Sequence, residues 1–171
     1  MEYRLYQFIF PNGVHFGKNS LFTNIAYTPL TGDINLLIIP VWFNDSSNYI
    51  TNDQKKQNVH DDIEAAYLGD NSEVGYRSVR TYYEEESSEK LHINGLVTDW
   101  YDTKANSSTY ASKSTDMSAF LKKAVNWAKE TESLDLTNYD NDKDGFVDGV
   151  VMIYARPSYI TKGEYENNFW A

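Results

Sequence analysis

The 171-residue sequence contains no cysteine, and this absence excludes disulfide bonds, thiolate metal sites and cysteine nucleophiles for the chain. Histidine is almost as scarce, with only His15, His60 and His92. None of them has a second histidine four positions along, so the sequence contains no His-Glu-x-x-His zinc motif. It also lacks a Gly-x-Ser-x-Gly nucleophile motif and a glycine-rich phosphate loop. We therefore assign no catalytic residue and no organic cofactor site.

The sequence also has few basic residues and no long apolar run. Twenty-five acidic residues outnumber 15 basic ones, giving a net charge of −10. Nucleic acid and anionic membranes would be repelled, and we predict neither as a partner. The longest apolar run, near residues 36–43, is too short to cross a bilayer. The N-terminus lacks a basic region followed by an apolar stretch, so any export signal is expected to lie outside this chain.

Two apolar runs predict strands that are buried on both faces. They cover residues 34–43, INLLIIPVWF, and 146–155, FVDGVVMIYA. Pro40 lies inside the first run, and a proline there predicts an edge position or a bulge. Residues 91–100 predict either one strand or a hairpin that turns at the Asn-Gly pair.

Helical patterns separate these strands. One helix is predicted from about residue 53 to Gly69, a second at 76–88, and a third that begins at Thr115 or Asp116. Strands that alternate with helices indicate an α/β protein. We predict a mixed, mostly parallel sheet flanked by about three helices.

The densest chemical signal is the acidic stretch YDNDKDGFVDG at residues 139–149. Calcium takes six to eight oxygen ligands, and carboxylates at alternate positions of a tight loop supply them. Gly145 would allow the sharp bend. The twelfth position is Val151, where an EF-hand has a glutamate, and a strand follows in place of a helix. A solvated Asp/Asn turn without metal is the alternative. The predicted calcium ligands are the side chains of Asp140, Asp142, Asp144 and Asp148 and the carbonyl of Phe146.

Four segments, in this order, resemble the secreted zinc metallopeptidases of the immune inhibitor A type. The first, LLIIPVWFND at 36–45, is similar to the family's opening strand ending in Phe-x-Asp. The second, at 78–101, is similar to the segment Ser-Val-Arg-x-Tyr-Tyr through Gly-x-Val-x-x-Trp-Tyr. The third, at 134–155, is similar to the acidic loop and strand before the zinc helix, and NNFWA at 167–171 is similar to the approach to that helix.

The resemblance implies a zincin-like N-terminal subdomain, with residues 1–33 as an irregular lead-in containing a short strand and 34–171 as a truncated metallopeptidase-like domain. It implies a secreted parent enzyme that acts on peptides or proteins with a zinc held by His-Glu-x-x-His. Because that motif is missing, this chain is expected to be inactive alone and to need zinc only within the full-length parent. Calcium would stabilise its acidic loop.

The aromatic residues suggest an alternative function. A non-catalytic, calcium-dependent binding or adhesion module could present an aromatic face to its ligand. Most of the candidate side chains lie on apolar faces of predicted elements, which favours packing in the core. The six candidates are Trp42, Tyr82, Tyr83, Trp100, Tyr101 and Trp127.

Overall fold

The computed structural model describes residues 7–9, 14–15, 31–70, 75–111, 116–141, 143 and 145–156. The strands are β1 (Gln7–Ile9), β2 (Val14–His15), β3 (Gly32–Trp42), β4 (Leu91–Val97), β5 (Tyr101–Asp102), β6 (Phe146–Val147) and β7 (Val150–Tyr154). The α-helices are α1 (Asp53–Leu68), α2 (Val79–Glu86), α3 (Ser108–Ala111) and α4 (Met117–Thr131). Two 3-10 helices cover Asn44–Asn48 and Leu136–Tyr139.

One five-stranded sheet organises the molecule. Its order is β1-β7-β3-β4, and β5 also pairs with β3. Strands β4, β5 and β7 run parallel to β3, whereas β1 pairs antiparallel with β7. β2 and β6 form a separate antiparallel pair. The predicted α/β class and mostly parallel sheet are confirmed. The described part has four α-helices, one of them a single turn, against about three predicted.

Alternate residues of β3 face two helical layers. Leu37, Ile39 and Val41 pack in a core with the apolar face of α4. Ile38 packs on the opposite side with residues of α1, including Ile63. All four of these β3 side chains are fully buried, as expected for a strand covered on both faces. The architecture is therefore three-layered, with the sheet between helices.

The helices begin at local capping signals. Asn52 accepts a hydrogen bond from the Lys55 backbone N–H (2.8 Å), and Asp116 accepts one from Ala119 N–H (3.0 Å). These contacts satisfy backbone donors that the first helical turn leaves without partners. The predicted starts of α1 and α4 are confirmed, and so is the end of α1 at Gly69. No helix in the described residues has both the length and the apolar character needed to cross a bilayer.

Pro40 lies in the centre of the sheet, so the predicted edge position or bulge is wrong. On one side β3 pairs continuously with β7 through Pro40. On the other side the pairing with β4 ends at Ile38, and the pairing with β5 starts at Val41. The Ile38 and Trp42 carbonyls accept hydrogen bonds on that second side, and alternation places the Pro40 nitrogen there too. The missing N–H faces the gap between two strands and costs no ladder hydrogen bond.

Residues 91–97 form one uninterrupted strand, which excludes the hairpin alternative. Gly95 pairs with Leu36 and has a φ of 151°. A Cβ at this position would lie 2.1 Å from the Leu36 carbonyl oxygen. The glycine therefore marks a close approach between two backbones instead of a turn.

Candidate functional site

The acidic loop is closed by hydrogen bonds from its own backbone. Asp140 Oδ2 accepts a hydrogen bond from the Gly145 N–H at 2.9 Å, and Asp148 Oδ2 accepts one from the Asn141 N–H. The Asp148 N–H donates to the Tyr139 carbonyl at 2.9 Å. The first and last of the predicted calcium ligands are thereby held on the same loop.

The loop bends sharply through two residues with positive φ. Lys143 has a φ of 64° and Gly145 a φ of 92°. A residue with a side chain is strained at the Gly145 conformation even though the space around it is open. Gly145 provides the bend that its sequence position predicts.

Asparagine side chains join the acidic loop to the central strand. The Asn35 backbone N–H donates to Asn141 Oδ1 at 2.8 Å. The Asn35 side-chain amide donates to the Asn138 carbonyl, also at 2.8 Å. These two contacts attach the acidic loop to β3.

The 3-10 helix that leads into the loop is capped by a carboxylate. Asp135 accepts hydrogen bonds from the Thr137 hydroxyl (2.7 Å) and the Thr137 backbone N–H (3.0 Å). These bonds favour the charged carboxylate and lower the pKa of Asp135. At the other end of this helix, burial raises the pKa of Tyr139, and the charge of Glu132 adds to the effect.

The predicted calcium ligands occupy different environments. Asp148 is 3% exposed, and the Asp140 side chain is half-buried. Phe146 lies on β6 opposite His15 of β2. Asp142 and Asp144 lie outside the described residues. Within the described part of the loop and the rest of the described chain, no group of three or more His, Cys, Asp or Glu side chains is arranged to hold a metal ion. The five-ligand set stays a prediction.

A second cluster lies at the carboxyl end of β3, where open parallel sheets commonly place their sites. Asp45 accepts two hydrogen bonds from Ser107, from its backbone N–H (2.8 Å) and its hydroxyl (2.6 Å). Nearby, the buried Ser46 hydroxyl accepts from the Phe43 N–H (2.9 Å) and donates to the Ala155 carbonyl. We call the Asp45–Ser107 contact the Asp45 clamp. Sequence reasoning missed it, although Asp45 directly follows a buried strand.

A charged pair lies beside this clamp. Lys104 Nζ is 2.6 Å from Asp102 Oδ2, and the Lys104 N–H donates to Asp102 Oδ1 at 2.9 Å. Burial acts to raise the pKa of Asp102, but the hydrogen bonds and charge of Lys104, together with the charge of Lys56, outweigh it and lower the pKa. The pair ties the end of β5 to the loop that carries Ser107.

Comparison with protein families decides the classification. A family model described as the catalytic domain of the immune inhibitor A peptidase M6 family matches residues 34–151, well over half of the chain. The chain belongs to the immune inhibitor A peptidase family, M6. The match runs from β3 into β7 and contains the whole acidic loop and the Asp45 clamp. A search of curated proteins gives no match.

Membership of the M6 family confirms the resemblance seen in the sequence and indicates metallopeptidase chemistry on peptides or proteins. The segment NNFWA lies outside both the matched range and the described residues. The side chains of two histidines, His60 and His92, contact other protein groups. His60 Nε2 donates to the Thr98 carbonyl at 2.9 Å, and His92 Nδ1 is 2.9 Å from Glu84 Oε1.

The aromatic candidates divide into two groups. Four of them are half-buried and pack against neighbours, as predicted: Trp42, Trp100, Tyr101 and Trp127. The other two, Tyr82 and Tyr83, are 45% and 47% exposed. The prediction of core packing is therefore wrong for Tyr82 and Tyr83, because both side chains face solvent.

Proposed function

We propose that this M6 chain is the N-terminal portion of a secreted, zinc-dependent metalloendopeptidase. The observation that carries the proposal is the family match over residues 34–151. Hydrolysis by such enzymes uses a metal-activated water and a general base. The sequence contains no His-Glu-x-x-His and no pair of histidines one helical turn apart. The zinc ligands would therefore come from polypeptide outside this chain, and the chain would not be catalytically competent alone.

The second part of the proposal is a structural calcium ion in the acidic loop. Asp140 and Asp148 each accept a backbone N–H from within the loop, which fixes where their carboxylates lie. A carboxylate has about four acceptor positions, so these hydrogen bonds are compatible with a metal contact. Asp142, Asp144 and the Phe146 carbonyl would complete the ligand set. The ion would offset the repulsion among four neighbouring carboxylates.

The twelfth loop position supports an extracellular setting. Val151 lies in β7 opposite Ile38 and is 2% exposed, and its side chain has no oxygen that could bind a metal. A site without the bidentate glutamate has fewer oxygen ligands from the protein and is expected to bind calcium more weakly than a complete EF-hand loop. Extracellular modules work with a Kd of about 10⁻⁴ to 10⁻³ M, which suits such a site.

Peptidase activity tests the first part. We expect the 171-residue chain to leave casein uncleaved with or without added zinc. The full-length parent enzyme is expected to cleave casein, and a zinc chelator should stop it. Cleavage by the purified chain alone, abolished by a chelator, would contradict the proposal that the zinc ligands lie outside this chain.

Thermal unfolding tests the second part. Calcium at about 100 times its Kd should raise the Tm by roughly 5–10 °C, since binding to the folded state adds about 2.7 kcal/mol to stability. Asp144→Ala should abolish the shift. The control is Asp62→Ala on the exposed face of α1, which removes the same charge elsewhere and should keep the shift. An unchanged Tm in excess chelator would remove calcium from the proposal and leave the peptidase assignment intact.

A further inference from the structure

Exposed aromatic surface is concentrated around α2. The large hydrophobic side chains that stand out into solvent in the described chain are all tyrosines: Tyr76 (56% exposed), Tyr82 (45%) and Tyr83 (47%). Tyr82 and Tyr83 are neighbours on the helix, and Tyr76 comes just before its N-cap, Ser78. Tyrosine is enriched in protein interfaces, where it supplies a large contact area at a low entropy cost.

The two helical tyrosines are arranged by each other. Their ring centroids are 5.3 Å apart and their planes meet at 85°, an edge-to-face contact. This geometry is favourable for aromatic pairs and restricts both rings in the absence of core packing. One ring face of such a pair can receive a cation, which the aromatic quadrupole attracts.

An acidic cleft lies at the end of the same helix, and one of its carboxylates, Glu85, is one helical turn from Tyr82. It has a volume of about 600 Å³, within the range of known ligand sites. Two of its carboxylates also contact neighbouring side chains: Glu85 is 2.6 Å from the Arg77 guanidinium, and Glu84 is 2.9 Å from His92 Nδ1. The described residues that line it are Thr81, Glu84, Glu85, Ser88 and Glu89.

We propose that Tyr82, Tyr83 and this cleft, together the α2 surface, form a docking site for a basic segment of another protein. Carboxylates in the cleft would pair with some Lys or Arg side chains of the segment, and the tyrosine rings would contact neighbouring side chains of the same segment. The net charge of −10 would steer a basic partner toward the chain and repel nucleic acid and anionic lipid. Docking here needs neither calcium nor zinc and stands apart from the proposed peptidase function.

Fluorescence anisotropy with a labelled peptide of alternating arginine and glycine tests the α2 surface. We expect saturable binding by the 171-residue chain that weakens as sodium chloride is raised, because exposed charges are screened by salt. The matched control peptide replaces every arginine with glutamine and should not bind. At matched ionic strength, calcium and a chelator should leave the Kd unchanged.

Three double variants separate local recognition from general attraction. Tyr82→Ala with Tyr83→Ala, and Glu85→Gln with Glu89→Gln, should each raise the Kd about tenfold. Asp61→Asn with Asp62→Asn removes the same two charges from the exposed face of α1 and should raise it less than twofold. Because all six positions are exposed, each variant is expected to keep the wild-type circular dichroism spectrum.

Each contrary result overturns the proposal. Equal weakening by the two charge-removing variants would mean non-specific attraction to an acidic protein. Unchanged affinity in the tyrosine variant would remove the aromatic rings from recognition. Displacement of the peptide by tetramethylammonium at an equal concentration would indicate a site for small cations in place of a protein docking surface. Failure of the wild-type chain to bind the arginine peptide would contradict the proposed docking site as a whole.

Discussion

At the residue scale, Leu36 shows why glycine is required at position 95 of β4 and favoured at position 149, just before β7. Gly95 of β4 brings its backbone so near that a Cβ would lie 2.1 Å from the Leu36 carbonyl oxygen. On the other side, a Cβ on Gly149 would lie 2.4 Å from Leu36 Cδ2. The side-chain atom could move aside, whereas the backbone oxygen is fixed by the parallel ladder. The two glycines set how closely the neighbouring chain segments approach β3.

Gly95→Ala should destabilise the protein by about 2–4 kcal/mol, since the added methyl group forces two paired strands apart. Gly75→Ala is the matched control, because Gly75 also has a positive φ (66°) but open space where the Cβ would be. It should cost only about 1 kcal/mol of backbone strain. Urea unfolding measures both, and equal losses would show that the close contact with Leu36 is relieved at no cost.

At the element scale, the Asp45 clamp joins parts of the chain that lie far apart in sequence. The 3-10 helix after β3 is tied through Asp45 to Ser107, which directly precedes α3. Ser46 in the same turn bonds to the Ala155 carbonyl just after β7. The ends of β3 and β7 and the loop before α3 are therefore held together by two adjacent side chains.

Asp45→Ala should cost about 2–3 kcal/mol, because it removes two hydrogen bonds to a charged acceptor and leaves the 7%-exposed Ser107 without them. Hydrogen exchange should report faster exchange of the Ser107 amide and of the α3 segment. Asn44→Ala is the control, since Asn44 is exposed and its side chain makes one longer bond, 3.2 Å, to the Lys104 carbonyl. Equal exchange rates in the two variants would contradict the role given to Asp45.

Local signals account for the elements that the sequence predicts correctly. α1 is capped by Asn52 at its start and by Gly69 at its end, through contacts within the helix itself. The local sequence is therefore enough to predict where this helix begins and ends. The edge position or bulge predicted for Pro40 is wrong because a proline in mid-sheet is tolerated where β4 ends and β5 begins, and the sequence around Pro40 does not show where that is. The Asp45 clamp joins residues more than sixty positions apart and has no local signature.

At the scale of the whole molecule, fold class and family could be predicted and the surface could not. Apolar runs and helical periodicity indicated the layered sheet, and the order of four segments indicated the M6 family. The same periodicity placed Tyr82 and Tyr83 on an apolar stripe, but a stripe does not reveal whether another element covers it. For the acidic loop, carboxylate spacing suggested an ion, while the asparagine contacts with β3 emerged only from the fold.

The parallel pairing of β3 with β7 affects how the chain is made. Ile38 faces Val151, a partner that leaves the ribosome about 110 residues later. At roughly 5–20 residues per second, the fully apolar centre of β3 waits on the order of 5–20 s before the strand that pairs with this side of its backbone has been made. During that interval the nascent polypeptide exposes an aggregation-prone segment, and chaperone binding there is expected to raise the yield of folded protein.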